Sequence, residues 1–281
     1  MIHNLLAEVE KYAAPDEPFA GLKKCGSDGS NSYESKHGLI ENSNEIADFA
    51  GRGYELVAGT AWLFCREELD GTLNYLFIDK TRRMHPDVCR FISAAIYEDR
   101  LESFADCANQ GIEAPGSLTG TGIRYVPVAH EGNTRESPEE AEAIKGLIGD
   151  LLQGRYFRAD GTSGPLKPEE IMVVAPYNAQ VRCLREALPA GVRVGTVDKF
   201  QGQEAAVCFF SMATSSGEEI PRKLEFLFSR NRLNVAISRA RCLAVLVCNP
   251  ALLNIRCKNE EQMRLLNALC LFVEIVGEDH E

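Results

Sequence analysis

The chain has 281 residues, 45% hydrophobic and 25% charged, enough apolar material for one large domain or two modest ones. No run approaches ~18 apolar residues, which excludes a membrane-spanning helix on hydropathy, and the acidic, mixed opening MIHNLLAEVEKYAAPDE is unlike a secretory leader, so a cytoplasmic protein is expected. The formal net charge of −11 argues against coating nucleic acid by bulk charge and leaves a local basic groove as the alternative.

Residues 1 to 13 read as a helix, because Leu5, Leu6, Val9 and Tyr12 recur near the helical period. Residues 14 to 53 are rich in Gly, Ser, Asn, Asp and Pro with weak periodicity, which predicts a partly mobile stretch. Two apolar segments follow, YELVAGTAWLF (54–64) and NYLFID (74–79), joined through an Asp-Gly turn signal. The Pro at 86 opens a helix with Val88, Phe91, Ile92 and Ala95 on one face, and residues 102 to 123 read as loop. IRYVPVA (123–129) reads as a strand. The next helix has Ser137 as N-cap, Pro138 at its first position and Glu140 closing a capping box.

The strand IMVVAP (171–176) precedes the helix NAQVRCLREAL, then come the strands VRVGTV (192–197) and AAVCFFSMA (205–213). A helix around LNVAISRAR (233–241), the strand CLAVLVCNP (242–250) and an amphipathic helix over about 260 to 274 complete the chain. Apolar strands alternating with helices predict an α/β fold: a mostly parallel sheet covered by helices on both faces. Ten cysteines, none in a CxxC pair and several inside apolar segments, read as reduced core thiols rather than zinc ligands or disulfides.

Such sheets bind ligands beyond the carboxyl ends of their strands, and the residues there are specific in type. Tyr177 and Gln180 follow the strand 171–175. Thr196 and Asp198 follow 192–195, with Gly202 allowing close backbone approach and Glu204 able to accept from a ribose hydroxyl. Arg232 and Arg239, seven apart, share one face of the expected helix, and Arg239 is suited to a transferring phosphate. Arg82 and Arg83 form a second phosphate-seeking pair. Singly, each has a plain alternative as a solvated or packing residue.

Their order changes the weighing. RRMHPDVCRF, VVAPYNAQV, VGTVDKFQGQEAAV and LNVAISRAR, over about residues 80 to 250, together resemble the motor core of superfamily 1 helicases, most of all the nonsense-mediated-decay and Dna2-type branch. The resemblance implies a RecA-like P-loop NTPase fold, ATP and Mg²⁺ as cofactors, and single-stranded DNA or RNA as partner. It assigns Arg83 and Arg239 as phosphate-facing catalytic arginines, the latter as the arginine finger. It places Gly202, Glu204, Gln201, Tyr177 and Gln180 on the nucleotide side, and Thr196, Asp198 and Thr60 toward the strand. Where Arg82 stands, the family commonly has tyrosine.

Asp79 ends NYLFID, where a Walker B strand places a metal-facing carboxylate, but Lys80 follows in place of the family's second acid, further strand and sensor loop. No GxxxxGK[ST] phosphate loop occurs in the sequence. The family carries that loop upstream of the helix that opens this chain, so residues 1–79 are expected to be an incomplete remnant of a first RecA-like domain and 80–281 the second. Hydrolysis by the chain alone is then expected to be impaired, with a protein partner or missing segment supplying the phosphate loop. The alternative is a non-enzymatic nucleic-acid-binding or interaction module on the same fold.

Overall fold

The computed structural model describes residues 6–7, 9–10, 19–26, 29, 32–49, 53–54, 56–58, 80–97, 99–200, 202–220, 227, 230–257 and 259–278. The chain divides into two compact units, Met1–Phe77 and Ile78–Glu281.

In the first unit, β1 (Gly21–Lys24), β2 (Ile40–Ser43) and β3 (Leu56–Ala58) form a parallel sheet in the order β2-β1-β3. Two of these strands lie inside the polar segment 14–53, which the sequence reads as weakly structured. The correction has a physical source. Asn42 exchanges two 2.8 Å hydrogen bonds with the backbone of Tyr33, and the Tyr33 hydroxyl donates to buried Glu10 at 2.8 Å. Polar side chains here satisfy backbone and buried groups, so the two strands form without strong apolar periodicity. Its apolar contribution is small: Leu22 packs with Phe49, and Ile40 with Leu6 and Tyr33. The expected N-terminal helix is described only at Leu6, Ala7, Val9 and Glu10, which are helical. The expected strand 74–79, its turn, Thr60 and Asp79 lie outside the described residues.

The second unit is built on five parallel strands: β7 (Gly122–Pro127), β10 (Ile171–Ala175), β11 (Arg193–Thr196), β12 (Ala205–Ser211) and β13 (Ala240–Cys248). Their order is β11-β10-β12-β13-β7. Successive side chains of a strand point to opposite faces, and both faces are covered, which explains the unbroken apolar runs. Met172, Val174, Cys208, Phe210, Ala244 and Leu246 face one layer, formed by α1 (Pro86–Ile96), α4 (Arg230–Ile237) and α5 (Glu260–Glu278). Val173, Val207, Phe209, Leu243 and Val245 face α2 (Pro138–Leu151) and α3 (Asn178–Ala187). Phe91 of α1 meets Phe272 of α5 edge to face, with ring centroids 5.0 Å apart.

Local signals set the helix starts. Ser137 Oγ accepts from the Glu140 backbone N–H at 3.1 Å, capping α2 as expected, but Glu140 does not close the box, because the Ser137 N–H donates to Gln180 Oε1 instead. Before α1 the cap is His85, whose Nδ1 accepts from the Asp87 N–H at 3.1 Å. Three other readings change. The stretch 102–123 contains β5 (Glu102–Ser103), paired in parallel with β4 (Lys80–Thr81), and β6 (Gly111–Glu113). Strand β6 joins β8 (Arg155–Phe157) and β9 (Ser163–Pro165) in an antiparallel ribbon that the apolar pattern does not announce. Helix α4 ends at Ile237, so Arg239 sits in the turn before β13 and shares no helical face with Arg232. The described cysteines are free thiols, and burial pushes Cys208 and Cys242 up to about 12.

Candidate functional site

The amino edge of the sheet carries a cluster of charged residues. Glu204 immediately precedes β12, and Arg239 and Arg241 flank the first residue of β13; the ladder pairs Ala205 with Ala240, which brings these positions side by side. Arg193 opens β11. Arg83 enters from the loop before α1, where the His85 N–H donates to the Arg241 carbonyl at 2.7 Å. Arg83 Nε donates to Glu204 Oε2 at 2.7 Å and its Nη1 to the Ser238 carbonyl at 2.9 Å. Arg241 Nη2 pairs with the other Glu204 oxygen. Arg193 Nη2 donates to the Glu204 carbonyl at 2.8 Å.

Two guanidinium groups thus bond one carboxylate and a third its backbone carbonyl, while Arg239 lies near enough to feel the charge of Glu204 and Arg83. Burial opposes ionisation of Glu204, but hydrogen bonds and charge from Arg241 and Arg83 outweigh it and hold its carboxyl below the usual range. Arg239 is 8% exposed, and its Nε is buried with no hydrogen-bond partner among the described residues. Burial first, and the nearby Arg83 charge second, lower its pKa. The buried Nε of Arg193 is unpartnered in the same sense. Unsatisfied donors on buried cations are expensive, on the order of 1–3 kcal/mol each. With four arginines and one carboxylate, the cluster carries excess positive charge, which a polyanion such as a nucleoside triphosphate would complement. Gly202, at φ 81° with open space where a Cβ would project, sits in the exposed loop just before this cluster. For a metal the fit is not met among the described residues, which include no group of three His, Cys, Asp or Glu suited to an ion.

The carboxyl edge has a different character. Gln180 is fully buried; its Oε1 accepts from the Ser137 N–H at 2.7 Å and its Nε2 donates to Ser211 Oγ at 2.8 Å. Ser211 Oγ in turn donates to Glu140 Oε2 at 2.6 Å, and the Ala213 N–H donates to the same oxygen at 3.0 Å. His130 bridges Glu140 Oε1 at 3.1 Å and Ser215 Oγ at 2.7 Å. This network plugs the point between β10 and β12 where the strand order reverses. Tyr177 packs its ring in the core beneath α1 and α4. Thr196 ends β11 beside Ala175, half-exposed, and Asp198 lies in the 3-10 turn that follows.

Strand β12 separates the two edges by about 20 Å at ~3.3 Å per residue. The structure brings Arg83, Glu204 and Arg239 together and does not bring Tyr177 or Gln180 to them. Gln201, Thr60 and Asp79 lie outside the described residues. Arg193, Arg241, Gln110 and Tyr156 were not singled out from sequence as site residues, although a charged residue at a strand's first positions was a usable signal for the two arginines. Arg82 lays its guanidinium 3.7 Å over the Phe104 ring, a stacked arrangement rather than a phosphate-facing one.

A family profile described as AAA domain matches residues 62–251. A zebrafish (Danio rerio) protein, putative helicase mov-10-B.1, is 28% identical over 199 residues, covering 61% of this chain and 19% of that protein. Helicase sen1 of Schizosaccharomyces pombe is 28% identical over 202 residues, covering 66% of this chain and 11% of its own length. The helicase nonstructural protein 10 of an arterivirus covers 89% of this chain and 57% of that one at 13% identity and a TM-score of 0.39. The fold and these motifs define a superfamily 1 helicase domain of RecA-like architecture. The chain belongs to the AAA domain family. It spans less than a third of the length of either curated relative.

Proposed function

We propose that this chain supplies the arginine-bearing second motor domain of an ATP-dependent helicase, residues 80–281, preceded by an incomplete first RecA-like domain in residues 1–79. The observation that carries the reading is the convergence of Arg83, Arg193 and Arg241 on Glu204, with Arg239 beside them and its Nε buried and without a partner among the described residues. Such an arrangement offers preorganised positive charge where phosphoryl transfer develops negative charge. Arg239 acts as the finger and Arg83 as the second phosphate contact, while Gly202, Gln201 and Glu204 border the nucleotide. Thr196, Asp198 and Thr60 face a single strand of DNA or RNA. ATP with Mg²⁺, when bound, supplies the transferable phosphoryl group and its counter-charge; Asp79 is the candidate metal-facing acid. The sequence has no phosphate loop, so hydrolysis by the chain alone is slow or absent, and a partner supplying that loop restores it.

The test is ATP hydrolysis and binding of a fluorescent ATP analogue at low salt, with and without single-stranded oligonucleotide, in the chain and in Arg239→Ala. Analogue binding that falls at least tenfold in Arg239→Ala, with little turnover, supports the reading. Strand-stimulated turnover abolished in Arg239→Ala would mean that other residues of the chain fill the phosphate-loop role. Strand binding with no nucleotide binding would favour the non-enzymatic module.

A further inference from the structure

Five residues close a hydrogen-bonded ring behind the arginine cluster. Arg83 Nε donates to Glu204, and Arg241 donates to the other oxygen of the same carboxylate. Arg241 Nη1 then donates to the Tyr156 hydroxyl at 3.4 Å, and that hydroxyl donates to Gln110 Oε1 at 3.4 Å. Gln110 Nε2 returns to the Arg83 carbonyl at 2.8 Å. Tyr156 belongs to the β6-β8-β9 ribbon, outside the parallel sheet, and is 1% exposed. Its ring is held from behind: the Arg158 guanidinium lies 4.8 Å from the ring centroid, and Arg158 Nη2 bonds Glu170 at 2.6 Å.

We propose that Tyr156, with Gln110 as its second contact, is a positioning residue that fixes the Arg241 side chain and the Arg83 backbone, and through their shared Glu204 the Arg83 guanidinium, for a nucleotide polyphosphate. The proposal rests on the nucleotide reading above and deepens it. A tyrosine kept only for packing would turn its hydroxyl to solvent or to a single backbone group. This hydroxyl instead joins the carrier of one arginine to the side chain of another. Both of its contacts are long for O–H···O and N–H···O bonds, so the ring has slack on its ribbon side, and contacts of this type shorten when charge arrives. The ribbon thereby gives the amino-edge arginines a support independent of the sheet.

The experiment uses the full chain and the variants Tyr156→Phe and Gln110→Leu. Two readouts are needed. The first is affinity for a fluorescent ATP analogue at fixed low salt. The second is solvent exchange of the Arg83 Nε–H by arginine side-chain NMR, which reads the ring directly and needs no nucleotide. Tyr156→Phe should weaken the analogue roughly tenfold, as expected for losing a hydrogen bond to a charged group, and should speed Arg83 Nε–H exchange. Gln110→Leu should do the same, and the double variant should be no worse than either single, because both act through one ring. Thermal unfolding checks that each variant is folded. Unchanged Nε–H exchange in folded Tyr156→Phe overturns the proposal. Unchanged analogue affinity in Tyr156→Phe, where Arg239→Ala does lose affinity, overturns it as well. If Arg239→Ala has no effect on affinity, the nucleotide reading fails, and the exchange measurement alone decides whether Tyr156 holds the arginine.

Discussion

Glu204 holds two arginines with its side chain and a third with its carbonyl, so its charge has a measurable role in stability. Its folded pKa lies below the ordinary value of 4.5. The sign follows: the contribution is complete above the unfolded pKa and disappears as pH falls through the folded one. The side chain is about a third exposed, which screens the pair and limits the expected effect to about 1 kcal/mol. Glu204→Gln should therefore lower the urea midpoint at pH 7, and the gap to the parent chain should close toward pH 3. A gap that stays constant across that range would assign the loss to packing. The same residue illustrates what sequence can convey. QGQE was legible as a loop with a functional acid. That the acid would meet Arg241 as well as Arg83 was not, because the pairing depends on β12 and β13 lying adjacent, and strand order is not written in local periodicity. Tyr177 and Gln180 follow β10 at the carboxyl edge, where the sequence places them; Glu204 is the residue that the assembled sheet sets at the amino edge, because it directly precedes β12.

Among the elements, the three central strands β10, β12 and β13 were readable because both sheet faces are buried there, which leaves long apolar runs bounded by polar turns. The β6-β8-β9 ribbon was not, since its strands are three residues long and carry charged, glycine and proline residues. What holds it is a close approach. A Cβ at Gly154 would lie 2.4 Å from the Glu113 carbonyl oxygen and 2.6 Å from the Ala114 Cβ. Gly154→Ala therefore must push β6 away from the end of α2, at about 1–3 kcal/mol. Because Tyr156 sits two residues further on, the same variant should also weaken nucleotide binding if the ribbon supports the arginines. Denaturant unfolding and analogue titration of one sample measure both, and a loss of stability with full affinity would separate the ribbon from the site. By contrast Phe209, fully buried in β12 beneath α2 and α3, reports on the sheet alone. Phe209→Ala should cost about 3–5 kcal/mol with an unchanged denaturant slope.

At the scale of the whole molecule, the two large apolar clusters are built, among the described residues, from Met84 onward. The first unit's clusters are small by comparison, centred on Leu22 with Phe49 and on Leu6, Tyr33 and Ile40. A fragment comprising residues 78–281 contains both of these clusters, and it should unfold cooperatively by itself. It should also keep the Arg239-dependent affinity for an ATP analogue, since Arg83, Arg193, Glu204, Arg239 and Arg241 all lie within it. Single-strand affinity is the discriminating measurement. The protein's net charge of −11 repels a phosphate backbone at long range, so any strand binding must come from local contacts, and its salt dependence counts the Lys and Arg side chains among them. If Thr196 and Asp198 suffice for those contacts, the fragment binds an oligonucleotide as tightly as the whole chain and with the same salt slope. If Thr60 contributes, the fragment binds more weakly with the same slope, because a threonine neutralises no phosphate. A fragment that fails to fold would instead show that the first unit completes the second unit's core.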